Sequence, residues 1–285
     1  MKRFIKVLAI VLLICSLIAA ILFYGTFAGV SNLNIVNTKI TSQKVDESQY
    51  DLKIAFISDI HYNNFMNYDR LSNMIQTINK NKPDIIIFGG DLFDDPDTYV
   101  VSDETKIELI DLLKSLEAEY GKFAVLGEED HNKNIGNVED LLFKADFELL
   151  NNESILINKN NSTSINLIGI DSLIDGNVDI EKAFENVNTD LFTIVVTHAP
   201  DLFDQLPFND VDLVLSGHSH GGQISLPLIG AVTKVNGAMN YSLGNYYVND
   251  TTLIVSNGLG TTQRDLRLFS EPECHMIRLE KPTEQ

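Results

Sequence analysis

The chain has 285 residues, 44% hydrophobic and 21% charged, with a mean hydropathy of +0.01, which suits one large or two small folded domains and excludes a disordered chain, a fibre or a multi-span membrane protein. Its 21 Lys and Arg against 40 Asp and Glu leave a formal charge of −19, which excludes nucleic-acid binding through a basic face. Two cysteines, Cys15 and Cys274, are too few for a disulfide framework, and Cys15 lies inside an apolar run.

Lys2, Arg3 and Lys6 precede a stretch from Val7 to Phe23 whose one clearly polar residue is Ser16, and small and aromatic residues extend it to Val30. The run is long enough to cross a hydrocarbon core of about 30 Å as a helix. Residues 1–30 therefore read as a transmembrane anchor, with the leading cations placing the N-terminus in the cytoplasm and the remainder outside. The competing reading is a secreted protein released by signal cleavage, but Thr26-Phe-Ala28 is a poor cleavage site and the apolar run exceeds the usual signal length of about 7–15 residues. Without the leading cations the remainder is more acidic still, so its surface is expected to stand off an anionic bilayer. Residues 31–50 are polar and without a period, and read as a linker, either a tether or an early edge strand.

From residue 51 short β-type runs alternate with helical ones. Strands are predicted over 52–57, 84–88 and 123–126, with helices over 68–80, 103–120 and 138–144 between and after them. The second half is richer in strands, at 154–157, 164–170, 192–196, 213–215, 246–248, 253–255 and 275–279, with helices only at 180–186 and 201–206. The pattern predicts an α/β (α+β) domain over 51–285, built of two packed mixed β-sheets flanked by helices and preceded by the one transmembrane helix.

Polar motifs sit at the ends of the predicted strands: Asp59-Ile-His61, Gly90-Asp91, Gly127-Glu-Glu-Asp-His131, Thr197-His198-Ala-Pro200 and Gly217-His-Ser-His-Gly-Gly-Gln223. Ligands at the carboxyl ends of successive strands converge in the crevice where α/β sheets bind ligands. Each motif alone is weak, whereas five in this order make a specific signal. His275 lies within a late strand and reads as structural, and Tyr62, Phe65 and Phe93 read as loop and core packing or as a cleft lining. The acidic run at 94–97 reads as a solvated turn or a further cation site. No Gly-x-Ser-x-Gly turn and no cysteine beside the histidines supports acyl-transfer chemistry.

The order Asp-x-His, Gly-Asp, a Gly-Asn-His-Asp-like segment, His and Gly-His-x-His resembles the calcineurin-like metallophosphoesterases over about 51–279. Residues 217–223, Ser256-Asn-Gly-Leu-Gly260 and Arg267-Leu-Phe269 resemble the single-span bacterial branch that includes diacylglucosamine pyrophosphohydrolase-like proteins. The resemblance implies a dinuclear-metal phosphoesterase that cuts a phosphomonoester or phosphodiester by metal-bound hydroxide attack, with Asp59, His61 and His220 on one divalent ion, His198 and His218 on the other, and Asp91 bridging. Imidazole with carboxylate suits Mn, Fe or Zn alike. A phosphorylated small molecule or a lipid is the implied substrate, while the oligomeric state is not legible.

The family's Gly-Asn-His-Asp reads Gly127-Glu128-Glu129-Asp130 here. In direct alignment Glu128 replaces a metal-binding Asn, adding a third negative ligand, and Glu129 replaces the His expected to protonate the leaving group. A carboxyl with an ordinary pKa near 4.3 is ionised at neutral pH and makes a poor acid. His131 then becomes the alternative acid; a slip by two residues would instead make Asp130 a ligand and put His131 in the His place, although no neighbouring deletion compensates such a slip. These departures also motivate a second reading, a membrane-anchored metal-binding scaffold or receptor with little or no turnover.

Overall fold

The computed structural model describes residues 2–50, 52–62, 65–94, 101–131, 138–159 and 164–281. Strands β2 (Lys53–Ile57), β3 (Ile85–Phe88) and β4 (Lys122–Ala124) run parallel, and successive side chains point to opposite faces. Ile54 and Phe56 with Ile85 and Ile87 join the core between the two sheets, while Ala55 and Ile57 with Ile86 and Phe88 join the core under the helices. Burial on both faces explains why these strands are continuous apolar runs rather than alternating ones.

The first sheet also contains β1 (Asn34–Thr41), β5 (Glu148–Leu149) and β14 (Glu273–Glu280), in the order β1-β14-β2-β3-β4-β5. The second contains β6 (Glu153–Ile157), β7 (Ile165–Gly169), β8 (Thr193–Val196), β9 (Leu213–Ser216), β12 (Gly244–Val248) and β13 (Thr251–Val255), in the order β12-β13-β9-β8-β7-β6. Two mixed sheets packed face to face and flanked by helices are the architecture expected from the alternation of elements. Between β9 and β12 lies a hairpin of β10 (Ser225–Leu226) and β11 (Gly230–Ala231), which periodicity alone does not reveal.

Helices α2 (Tyr68–Lys80), α3 (Asp103–Lys114) and α4 (Val138–Lys144) cover the outer face of the first sheet, placing Leu71, Ile75, Leu109, Leu112, Leu141 and Leu142 in its core. Asn67 and Ser102 cap α2 and α3 by accepting the amides of Arg70 and Thr105. The helix expected over 103–120 stops at Lys114. The Ser115 hydroxyl donates back to Leu112 O at 2.6 Å, and Asn79 of α2 takes the next backbone groups, donating to Ser115 O at 2.7 Å and accepting from Glu117 N at 3.1 Å. α5 (Ile180–Phe184) packs outside the second sheet, and the helix expected at 201–206 is a 3-10 helix at Pro200–Gln205.

Residues 34–41, legible in sequence only as a tether or an edge strand, form that edge strand, paired in parallel with β14. The helix before them, α1 (Lys2–Ser31), ends directly on the body. Gly25, Gly29 and Val30 are buried, Arg267 N donates to Gly25 O at 3.1 Å, and a Cβ on Gly25 would collide with Leu266 and Leu268. Asn34 is in register with Glu273, and His275 with Phe56 near the end of β2, so α1 meets the body at the carboxyl ends of the central strands. Cys15 and Cys274 are both free.

Candidate metal centre

Each polar motif emerges at the carboxyl end of a buried strand. Asp59 and His61 follow β2, Asp91 follows β3, Glu128 follows β4, His198 follows β8, and His218 and His220 follow β9. Asp59, His61, Asp91, His218 and His220 all hold positive φ, between 44° and 67°, where non-glycine residues are strained. The backbone turns sharply at each strand end, and this aims five side chains into one volume. Gly127 is required there because a Cβ would collide with the Asp91 carboxylate.

The ligand atoms form two groups, Asp59–His61–His220 and Asp91–Glu128–His198–His218, each with its atoms within 4.8 Å of one another. Asp91 Oδ2 lies 3.2 Å from His198 Nε2 and 3.5 Å from His61 Nε2, so it stands between the groups. Asp59 Oδ1 lies 3.6 Å from His220 Nε2 and 3.8 Å from His198 Nε2. Glu128 reaches His198 Nε2 with one oxygen at 3.0 Å and His218 Nδ1 with the other at 2.7 Å. All are buried or nearly so.

Backbone carbonyls orient two imidazoles. His198 Nδ1 donates to Gly89 O at 2.6 Å, and His218 Nε2 donates to Asn236 O at 2.6 Å. A carbonyl only accepts, so the remaining nitrogens, His198 Nε2 and His218 Nδ1, face the site as lone pairs when the rings are neutral. As lone pairs they cannot donate to the Glu128 oxygens 3.0 and 2.7 Å away, which leaves these nitrogens and the buried Oε2 of Glu128 without a hydrogen-bond donor between them. Buried polar atoms without partners are rare, and here they converge with carboxylates. The donor set therefore fits divalent ions.

Electrostatics agree with a cluster built for cations. Burial alone would raise Asp59, yet His220, His198 and His61 hold its carboxyl below the usual range. Burial opposes ionisation of Glu128 likewise, but His198 and His218 keep it ionised. His61 is pushed up to about 9 against its burial by Asp94, Asp91 and Asp59, whereas His220 falls to about 3 through burial and the neighbouring His61 and Arg267 charges. Their Nε2 atoms are 3.1 Å apart and cannot both carry protons.

The geometry supports direct alignment of residues 127–130. Glu128 enters the ligand group, while the Asp130 carboxylate accepts the amides of Asp91, Leu92 and Gly127 at 2.8, 2.9 and 2.9 Å. Asp130 thus locks the loop after β3 to the loop after β4. The Glu129 amide donates to Asp91 Oδ1 at 3.0 Å, and a cavity of about 310 Å³ at the site's edge is lined by Glu128, Glu129, His131 and Asp175. His131 shares this cavity, and its Nε2 lies 2.8 Å from Asp171 Oδ1. Asp171 also accepts the amides of Ser172 and Asn177, which fixes its orientation.

His275 is buried against Glu273 at 3.0 Å, away from both ligand groups. Tyr62 and Phe93 belong to the core under the helices, and Phe65 is exposed. Asp94 Oδ1 sits 3.6 Å from His61 Nδ1; the rest of the acidic run at 94–97 lies outside the described residues. Two neighbours have roles that the sequence does not assign: Asp171, which it does not single out, and Arg267, which it gives only as part of a motif. Asp171 follows β7 and carries the same strand-end signal as the other motifs. Arg267, wholly buried, donates to the carbonyls of Asn257 and Ser270, both at 2.7 Å, and to that of Gly260, which pins the loop over Asp59.

A profile of the calcineurin-like phosphoesterase family matches residues 52–222, which carry all seven ligand candidates. The chain belongs to the calcineurin-like phosphoesterases. It is 33% identical over 228 residues to the uncharacterized metallophosphoesterase YkuE of Bacillus subtilis, covering 80% of this chain and 78% of that one. It is 27% identical over 285 residues to the UDP-2,3-diacylglucosamine pyrophosphatase LpxG of Chlamydia muridarum, covering 80% and 84% of the two chains. Among solved structures, the NAD nucleotidase of Haemophilus influenzae superposes with a TM-score of 0.48 at 12% identity, over 73% of this chain and half of that one. This calcineurin-like phosphoesterase is accordingly a metal-dependent phosphohydrolase, with two candidate ligand groups for a dinuclear centre.

The His131–Asp171 pair makes a prediction about pH. The hydrogen bond to Asp171 raises His131 above its ordinary value of 6.5. Burial would raise Asp171, but the bond from His131 and the Asn177 and Ser172 amides hold it below its ordinary 3.8. The pair's contribution is fully present between those two ordinary values and fades as pH climbs through the raised His131 value. Asp171→Asn is expected to move the alkaline limb of the pH–rate profile to lower pH if His131 delivers the proton. An unmoved limb would remove His131 from the reaction.

Proposed function

We propose that the chain is a membrane-anchored phosphoesterase acting on a phosphorylated, lipid-like substrate. Asp59, His61 and His220 would hold one ion and Glu128, His198 and His218 the other, with Asp91 between the two groups. The observation that carries this reading is the convergence of seven ligands from five strand ends, with buried ring nitrogens and carboxylate oxygens facing one another across one volume. Two divalent ions, of Mn, Fe or Zn type, supply Lewis acidity toward phosphoryl oxygens and a nucleophile at neutral pH. The chain's own side chains do the rest. Asp91, buttressed by the Glu129 amide, and Asp59, braced by the His218 amide at 2.9 Å, keep the two groups at fixed separation. His131, held by Asp171, stores a proton at the cavity edge for the leaving oxygen. Glu129 lines the same cavity, with its amide on Asp91.

The lipid-like substrate is supported by the similarity to a protein named for a diacylglucosamine substrate and by the position of α1. Signal cleavage within residues 26–28 would cut a helix segment whose glycines on either side are packed on the body, which favours a retained anchor. By the charge rule the N-terminus is cytoplasmic and the site faces outward.

The test is metal content and hydrolysis of a nitrophenyl phosphodiester, measured together on the full chain in detergent. About two ions per chain with turnover is the expected result, and metal without turnover would return the chain to the scaffold reading. Glu128→Asn with Glu129→His removes two negative charges and is expected to lower KM by about tenfold or more. Turnover that falls with KM unchanged would show that the site depends on these carboxylates rather than being weakened by their charge.

A further inference from the structure

In a chain with a formal charge of −19, residues 221–249 contain no Asp or Glu and one cation, Lys234. This stretch holds the β10–β11 hairpin, whose tip carries Pro227, Leu228 and Ile229. Leu228 is fully exposed, and Ile229, Val232 and neighbouring Phe269 are 75%, 55% and 63% exposed. Bulky apolar side chains clustered on one projection mark an interaction surface rather than ordinary exposure.

The hairpin is tied to the anchor. Ser225 N donates to Leu268 O and Leu268 N to Gln223 O, both at 2.9 Å, while Leu266 and Leu268 pack against Gly25 of α1. Phe4 to Phe23 is a run of 20 residues, which at a rise of about 1.5 Å per residue spans the roughly 30 Å of a hydrocarbon core. No spacer then separates the membrane from Gly25, so the 266–268 loop and the hairpin bonded to it lie at headgroup level.

We propose that the tip of the β10–β11 hairpin, with Phe269 beside it, is a second membrane attachment that inserts into the lipid leaflet next to α1. This rests on the reading of α1 as a retained anchor. The occupant is the bilayer because the patch is continuous with the end of the span and because the hairpin itself carries no carboxylate, while Asp265 and Glu271 of the adjoining loop are engaged by Arg70 and by the Tyr24 hydroxyl. The attachment bears on the metal centre: the chain leaving the hairpin supplies Asn236 O to His218 Nε2, and a Cβ on Gly237 would press on His218. Insertion therefore sets one wall of the site at the depth of lipid phosphates, which selects substrates presented by a bilayer over dissolved ones.

The chain has no Trp, so Leu228→Trp gives a single reporter in the full protein, reconstituted in phosphatidylcholine vesicles. The expected result is emission shifted to shorter wavelength and quenched by at least about half with acyl-brominated lipid, as for a side chain buried about 5–10 Å deep. Tyr247→Trp, on β12 beside Thr252 at the far end of the sheet and 71% exposed, is the aqueous control. Because tryptophan itself favours interfaces, Phe269→Trp is also read with and without Leu228→Asp and Ile229→Asp, and the charges are expected to reduce its quenching about twofold or more. A Leu228→Trp signal matching the control, in a chain that stays in carbonate-washed membranes, overturns the attachment and leaves the anchor standing. Release of the chain from those membranes overturns the anchor reading and the attachment with it.

Discussion

Asp91→Asn is expected to lower turnover by about a thousandfold or more, equivalent to about 4 kcal/mol of transition-state stabilisation. It is also expected to leave one ion or fewer per chain. The substitution keeps the shape of the side chain and replaces one carboxylate oxygen with an amide NH2. In the structure that carboxylate does two things at once. Oδ2 stands within 3.5 Å of His61 and His198, members of different ligand groups, and Oδ1 receives the Glu129 amide. An amide nitrogen at the Oδ2 position presents protons where a cation belongs, one at the Oδ1 position opposes the Glu129 N–H, and the charge lost is the one that both ions would share. Elemental analysis and nitrophenyl hydrolysis on one preparation check both halves. Full turnover in Asp91→Asn would show that the two groups do not act together.

Arg267→Met carries the largest expected effect on stability. The Arg267 side chain is fully buried and its guanidinium donates to the carbonyls of Asn257, Ser270 and Gly260. Burial lowers it to about 10, which still leaves it charged at neutral pH. Methionine fills most of the volume and strands those carbonyls without donors, at a cost of about 3–5 kcal/mol. The expected outcome is a melting midpoint lower by about 10 °C for a domain of this size. Gly260 N donates to Asp59 O at 2.7 Å, so the loop that Arg267 pins also holds Asp59 in its left-handed conformation. Metal affinity at the Asp59 group should therefore fall along with stability. Arg267→Lys, with a compact ammonium in place of a planar fork, should recover the charge but only part of the midpoint. A melting curve unchanged in Arg267→Met would contradict this account.

Much of the fold is legible because its physics is local. β2 and β3 are buried on both faces and so must be apolar throughout, which separates them from the amphipathic α2 by period alone. The candidate ligands Asp59, His61, Asp91, His198, His218 and His220 are legible for the complementary reason. Polar residues gathered just after a buried apolar run mark the strand's end, and strand ends in such sheets face the ligand crevice. The apolar run of α1 likewise declares itself by length.

What remained hidden depends on partners far away in sequence or on backbone groups that carry no residue signature. Whether residues 31–50 pair or hang free was open until β14, near the other end of the chain, accepted β1 as its neighbour. Whether Glu128 or Asp130 enters the ligand group turned on three amides, those of Asp91, Leu92 and Gly127, that captured the Asp130 carboxylate first. Arg267 stands in a motif that carries the family resemblance but has no role legible there, and that role comes from carbonyl oxygens gathered from separate turns. The hairpin at 225–231 is too short for a period and became meaningful only once it was seen beside the end of α1. Periodicity determined the layers and put the polar motifs at strand ends, since burial acts on each segment by itself, and the family resemblance made those motifs a set of ligand candidates. The tertiary structure decided which carboxylate faces which histidine and how close the site stands to the apolar helix α1, since hydrogen bonds between distant loops act only after the layers have packed.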